Sequence, residues 1–565
     1  MDDASATSPR GRKLARKAAL YNERSSWVDH WREISTYQLP RAGRFITSDR
    51  NKGGRKFNNI YDNTALYSLR TLSAGMQAGM TSPARPWFRL SIKDTKLREA
   101  AGVKDWLNTC TELMRSIFAA SNTYNALHNL YGELGAFGTA ATFVLPNYNN
   151  VIHHYPMTIG EYALATDDEG RVNTAVREFD MTVGQLVQRF GVKNVSQTVK
   201  NLYDTNKLDQ WVTVIHMVEP RTERDPSLKD AKNMKFASHY FEIGSNVDNK
   251  FLRESGFKRF PALAPRWDVT GGDIYGQSPG MECLGDVKQL QHNQLRKSQG
   301  IDYKVNPPLQ VPTQYKDYAK ARLPGGVFHV DATGPGQGVR TAFDVNLDLS
   351  HLLEDIQDVR GRIRSAYYAD LFLMLANDTR SGITATEVAE RHEEKLLALG
   401  PVLERLHNEL LAPLVDLTFD YCEDAGILPP PPPELEGIEL EIEFISTLAQ
   451  AQKMVAAQGI DNVVSRVMNL ATVWPEARHK INALQIVDDL GDMYGVNPKL
   501  IVADDIVQKK IEAEAQQAAA AQQAATMPDM VNSAKTASEI DPQGMQDVMS
   551  MVSGYSTGAP PAATA

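Results

Sequence analysis

The residue types that do chemistry are all present, but not at working spacings. His392, Glu393 and Glu394 are consecutive in a stretch of helical character. No second histidine follows at the one-turn interval by which a zinc protease seats its metal. His153 and His154 are adjacent, and on an extended strand they point to opposite faces. Asp488–Asp489 and Asp504–Asp505 offer paired carboxylates, the raw material of a metal-ion nuclease. No third acid or lysine stands beside them at a recognisable spacing, so they read as solvated helix faces. No GxxxxGK[ST] phosphate loop occurs. The glycines of GPGQGV fit neither that loop nor GxGxxG and read as a loop tip. Cys110, Cys283 and Cys422 form no CxxC pair and no zinc-ligand set, and read as buried thiols of a protein made in a reducing cytoplasm. The expectation is a protein that is not an enzyme: no catalytic residue, no cofactor and no metal ligand.

The bulk numbers agree with a large scaffold. The chain has 565 residues, 42% apolar and 23% charged, enough for three or four domain-sized units. No run of about 18 apolar residues is present, so no membrane span is expected. The N-terminal MDDASATSPRGRKLARK has no apolar run behind it and does not read as a secretory signal. Charge is unevenly spread: residues 1–60 carry a net +7, residues 381–565 a net −17, and the whole chain −9. A protein that grips DNA by its phosphates is basic where it grips. An acidic surface suits a conduit better than a clamp.

The elements that would position any site follow from periodicity and punctuation. Residues 9–40 read as a helix with an extended exit, and 60–80 as a helix with Ala65, Ser68, Ser73, Ala74 and Gly79 on a small-residue face. Pro83 and Pro86 end it. Two helices fill 100–135, and about 140–265 is strand-rich, interrupted by the helix TVGQLVQRFG. Ser278 and Pro279 supply an N-cap and a first helical residue. The helix they open runs to about Tyr303 and is mostly polar, with Leu284, Val287, Leu290 and Leu295 as a thin apolar stripe. It needs neighbours on more than one side. Residues 305–347 read as short strands with tight turns. A second long helix covers about 350–376, where Leu352, Ile356, Val359, Ile363, Tyr367, Leu371 and Met374 step by four and three. Thr384 and Glu387 form a capping box for a third, kinked by Pro401 and Pro413, through about Cys422. A proline run, the strand IELEIEFI, a helical region over 448–508 and a Gly/Pro/Ser/Ala-rich disordered tail complete the chain.

Three places between these elements are candidates for function. The long polar helices carry Lys288, Arg296 and Lys297 on the first and Arg360, Arg362 and Arg364 on the second. With Glu354, Asp355 and Asp358 one turn earlier, most of these arginines read as ion-pair partners, and the rest could meet neighbouring subunits or passing phosphates. The turn-rich segment between the helices, with Asp331, Thr333, Gln337 and Arg340, should project as a docking tip. The loop Asn377, Asp378, Thr379, Arg380, Ser381, Gly382 lies between two anchored helices, and Arg380 is its one residue able to pair with phosphate.

The order of segments resembles the portal, or head-to-tail connector, proteins of short-tailed bacteriophages. WREISTYQLPR and IYDNTALYSLRTLSAGMQAGMTSPARPWFRL look like that family's N-terminal signature, and IYGQSPGMECLGDVKQL like its turn into a helix. GITATEVAERHEEKLLALGPVLERLHNELLAPLVD is similar to its long kinked helix, and TLAQAQ to the start of its helical cap. The resemblance implies a mainly helical α+β subunit that assembles into a ring, usually of twelve. It divides this chain into a basic arm (1–19), a wing (20–277), a first stem helix (278–303), a clip (304–349), a second stem helix (350–377), a channel loop (378–383), a long kinked wing helix with proline linker and strand (384–446), a helical crown (447–525) and a disordered tail (526–565). It also implies a place at the virion's head vertex after assembly in the host cytoplasm, with no membrane partner. The partners it implies are the terminase packaging motor, tail or adaptor proteins, the major capsid and scaffolding proteins, and duplex DNA passing without sequence specificity. Another capsid or tail adaptor protein, or a DNA-processing nuclease, is the competing expectation.

Overall fold

The structure, a computed structural model, describes residues 8–45, 59–312 (except 99, 226, 229 and 244–249), 327–330, 340–341, 350–377, 399–445 (except 436 and 439), 463–494, 502 and 507–518. It begins with two helices where one was expected, α1 (Pro9–Glu23) and α2 (Ser25–Tyr37). Ser8 caps α1, its Oγ accepting from the Gly11 N–H at 3.0 Å, and Pro9 takes the first turn. The break falls at Arg24, a buried residue whose guanidinium donates to the carbonyls of Gly160 and Tyr162. Trp31 and Ile34 then fix α2 in the main core.

That core is built around α3 (Thr64–Met80), α4 (Ala101–Ala120) and α5 (Thr123–Phe137). The expected small-residue face is half right. Ala65, Ser68 and Ser73 are buried, but Ala74 is exposed. The closest approaches are at other small residues: a Cβ on Gly135 of α5 would lie 2.5 Å from Leu72, and one on Gly75 of α3 would lie 2.2 Å from the Phe372 ring. Side chains of the neighbouring helices fill the space a Cβ would need, so a larger residue at either glycine must displace them.

The strand-rich region does form strands, and they pair into antiparallel sheets. β4 (Tyr162–Thr166), β5 (Val172–Thr182), β6 (Trp211–Pro220), β7 (Phe236–Glu242) and β8 (Arg253–Phe257) form a five-stranded meander in sequence order. Before them, β2 (Ala141–Asn147) lies between β3 (Val151–Met157) and the short β9 (Ala262–Leu263). The helix TVGQLVQRFG is α6 (Val183–Phe190), started by a reciprocal Thr182–Gln185 capping box. A further helix, α7 (Gln197–Asp204), follows Ser196, which caps it.

Two non-local features close the body. β1 (Phe88–Ile92) pairs antiparallel with β13 (Leu440–Phe444), in the register Phe88↔Phe444 to Ile92↔Leu440. Between the proline segments, residues 399–406 are helical, His407–Leu411 form a π-helical turn, and α11 (Ala412–Asp424) continues. The wide turn stands directly before Pro413, which has no N–H to continue the ladder. It points Glu409 at buried Arg266, which donates Nη2 and Nε to that carboxylate at 2.6 and 3.2 Å. It also stacks His407 on Phe444 of β13, with ring centroids 4.3 Å apart.

Candidate functional site: the paired polar helices

Ser278 behaves as its sequence predicts. Its Oγ accepts from the Met281 N–H at 3.1 Å and donates to the Ala136 carbonyl at 2.8 Å, tying the turn to the end of α5. Gly138 ends α5 at φ +75, where an added Cβ would sit 2.1 Å from the Gly276 carbonyl oxygen. A single turn, Pro279–Glu282, leads into α8 (Leu284–Val305). α9 (Ser350–Ala366) packs along α8. Contacts of Asp286 with Arg362 and of Asn293 with Asp355, at 3.4 and 2.5 Å, run in opposite sequence directions, so the two helices are antiparallel.

At their base the pair is locked to the body through Asp62, which precedes α3. Its Oδ2 accepts from Arg360 Nε and Nη2 at 3.0 and 2.7 Å and from Gln294 Nε2 at 2.9 Å. Its Oδ1 accepts from the Thr64 N–H at 2.8 Å and from the Thr64 hydroxyl at 2.5 Å. Buried Gln291 completes the knot: its Oε1 accepts from the N–H groups of Tyr61 and Asp62, and its Nε2 donates to the Asp62 carbonyl. Burial presses the Asp62 carboxyl upward, but the hydrogen bonds from Thr64 and Arg360 together outweigh it and hold it below the ordinary carboxylate range.

Beyond this knot the pair is not covered within one chain. Leu284, Val287, Leu290 and Gln291 are buried, whereas no residue from His292 to Val305 is. The same holds for residues 350–355 of α9, while Ile356, Val359 and Ile363 are buried. Fourteen residues of helix span about 21 Å. Ile301, Leu353 and Val305 stand exposed on this part, Val305 at 78%.

The six basic residues singled out on the pair fare differently. Arg360 is held by Asp62; Arg362 lies 3.4 Å from both Asp286 and Asp358; Lys288 pairs with Glu33 at 2.7 Å. Arg296 donates to Gln299 at 3.2 Å. Lys297 and Arg364 make no ion pair among the described residues. The second long helix does not run through to Asn377 as its stepping predicts. It breaks at Tyr367–Tyr368, where Tyr368 adopts φ +52, and resumes as α10 (Ala369–Asn377). Buried Tyr367 is pinned there, its hydroxyl donating to Gln38 Oε1 at 2.5 Å, and Gln38 Nε2 donates to the Gly280 carbonyl at 2.8 Å.

Of the loop residues, Asn377 closes α10 and Asp378, Thr379, Arg380, Ser381 and Gly382 lie outside the described residues. Arg340 starts the short β12 (Arg340–Thr341), beside β10 (Leu309–Pro312), whose other neighbour is the parallel β11 (Val327–Val330). Asp331, Thr333 and Gln337 lie outside, as do Thr384, Glu387 and His392–Glu394. His153 and His154 alternate on β3, and only His154 is buried. Among the described residues no group of three or more His, Cys, Asp or Glu could hold a metal, and no helix is long and apolar enough to cross a membrane. Cys110, Cys283 and Cys422 are buried and free.

Residues 10–502 match the family described as bacteriophage head to tail connecting protein. The chain is 54% identical over 545 residues to the probable portal protein of Bordetella phage BPP-1, covering 96% of this chain and 98% of that one. It is 44% identical over 529 residues to the portal protein of Salmonella phage epsilon15, covering 94% and 95%.

Proposed function

The chain belongs to the bacteriophage head-to-tail connecting proteins, and from that premise we propose how its parts divide the work of a portal. It is a structural component of the virion's head vertex, not an enzyme, and serves genome packaging and ejection. As a homo-oligomer it docks capsid, packaging motor and tail.

Twelve copies surround a channel through which duplex DNA passes without sequence specificity. α8 and α9 are the stem, residues 304–349 the clip, 20–277 with 384–446 the wing, and 447–525 the crown. The clip, with Asp331, Thr333, Gln337 and Arg340, meets the terminase motor and later the tail or adaptor proteins. Residues 378–383 face the channel, with Arg380 toward the DNA. Major capsid and scaffolding proteins hold the rim.

One observation carries the ring. The outer halves of α8 and α9 have no buried residue within a single chain, yet they carry exposed Ile301, Val305 and Leu353. Helices so thinly apolar are stable when neighbours cover them. In a ring each pair is covered by the next. Lys297 and Arg364, which form no ion pair among the described residues, are then placed for a neighbour's carboxylates or the channel. Electron micrographs of the purified protein test this: twelvefold rings with a central hole are expected, and a uniformly monomeric population at assembly concentrations would overturn it.

A further inference from the structure

The basic N-terminal segment is the part of the sequence best suited to seize a polyanion, yet in the structure Arg10, Lys13, Lys17 and Arg24 all turn toward the sheet. α1 lies across the five-stranded sheet. Arg10 Nη2 donates to the Glu242 carbonyl of β7 at 2.6 Å. Lys13 pairs with Glu219 of β6, and Lys17 with Glu178 of β5. The Tyr21 hydroxyl donates to the Glu161 carbonyl at 2.9 Å, and Arg24 to the carbonyls of Gly160 and Tyr162 at the edge of β4. Positions 10, 13, 17, 21 and 24 fall on one helical face, so each turn of α1 meets a different strand.

Apolar anchoring is confined to the far end. Leu20 is the one fully buried apolar side chain of α1, set among Ala163, Ala165, Val176, Ile215, Met217 and Phe241. Leu14 and Tyr21 are half-buried. Arg24 marks a break in the helix, and α2 beyond it is held independently by Trp31 and Ile34. α1 can therefore leave the sheet from its N-terminal end without unwinding α2. Its outer face holds exposed Arg12 and Arg16.

We propose that α1 is an electrostatically latched strap, in which Glu178 and Glu219 mask Lys13 and Lys17 and so restrain a basic segment from binding nucleic acid phosphates. The contact is autoinhibitory: carboxylates of the sheet and phosphates compete for the same ammonium groups. Salt weakens both, whereas neutralising the two glutamates weakens only the latch. The inference stands apart from the ring reading, since every contact is within one chain.

The test uses the full chain and its Glu178→Gln/Glu219→Gln variant, whose changes keep side-chain volume. Hydrogen exchange of the amides in residues 13–21 should accelerate about tenfold, while those of β6 and β7 stay as in the parent. Affinity for a short duplex DNA of random sequence at low salt should rise about tenfold, with a steeper salt dependence. Adding Lys13→Gln/Lys17→Gln should remove most of that gain. Unchanged exchange in α1, or released exchange without tighter DNA binding, overturns the proposal. Should the glutamine variant be poorly folded, Lys13→Gln/Lys17→Gln serves as the second arm: α1 must loosen there too, now without any gain in DNA affinity.

Discussion

Replacing Asp62 with asparagine should loosen the α8–α9 pair from the body. The asparagine oxygen can still accept from Thr64, but the charge is lost, and an NH2 then faces the donors of Arg360 and Gln294. Arg360 makes two charge-assisted bonds to Asp62, at 3.0 and 2.7 Å. Such bonds contribute roughly 1.5–3 kcal/mol each when buried. The two share one guanidinium, whose side chain is 29% exposed against 5% for Asp62, so water screens part of the interaction. The net expectation is about 2 kcal/mol, or about thirtyfold in the local opening equilibrium. Hydrogen exchange of amides in residues 286–294 and 356–363 reads that opening directly. Asp62→Asn, Arg360→Gln and the double variant then form a cycle with a coupling of about 1–2 kcal/mol. The pH dependence has a definite sign. Because the folded carboxyl is held below its ordinary value, its stabilisation is complete above the unfolded value of roughly 4. It is lost as pH falls through the folded value, so parent and Asp62→Asn should converge only in acid. Parent-like protection of Asp62→Asn at neutral pH, or additive single effects, would refute the reasoning.

Other expectations are simpler to check. Gly75→Ala should lower the thermal midpoint by an amount equivalent to about 1–3 kcal/mol, since its methyl would stand 2.2 Å from the Phe372 ring; Gly132→Ala, which meets only Ser73 Oγ at 3.6 Å, is the control and should change little. Burial pushes the Cys110 and Cys283 thiols up to about 12 and Cys422 to about 11, so an aromatic disulfide reagent at mildly alkaline pH should label none of them until denaturant is added. Deleting Thr379–Ser381 should leave rings intact and impair DNA retention or packaging; wild-type packaging would make the loop a mere connector.

What the sequence discloses follows how local each cause is. The Ser278–Pro279 start of the helix is legible because donor and acceptor lie within four residues. The break at Tyr368 is not. Ile363, Tyr367 and Leu371 keep a helical step across it, and the interruption comes from a hydroxyl bond to Gln38, more than three hundred positions earlier. Asp62 was missed for the same reason. The motif Asp-Asn-Thr before an apolar run hints at its local bond to Thr64, but Gln291, Gln294 and Arg360 are remote. Of the arginine pairs expected with Glu354, Asp355 and Asp358, the described residues form Arg362–Asp358, while Arg360 reaches Asp62 instead. The basic N-terminus shows the limit of counting charge. Its +7 excess looks available, whereas Lys13 and Lys17 are occupied by glutamates on two separate strands.

The pairing of β1 with β13 sets a timetable for synthesis. The meander from β4 to β8 joins strands close in sequence, so it can form while the ribosome is still working. β1 must wait for a partner about 350 residues downstream. At about 5–20 residues per second that is roughly 20–70 s, during which Phe88–Ile92 is an open edge that any other strand could join. The delay has a use as well as a hazard. His407 and Phe444 stack where the late strand arrives, so the helix through His407 is seated only when the body is closed. A nascent chain is therefore unfit to join an oligomer until β13, at Leu440–Phe444 of 565 residues, has emerged, and half-made subunits are kept out of the assembly by chain order alone.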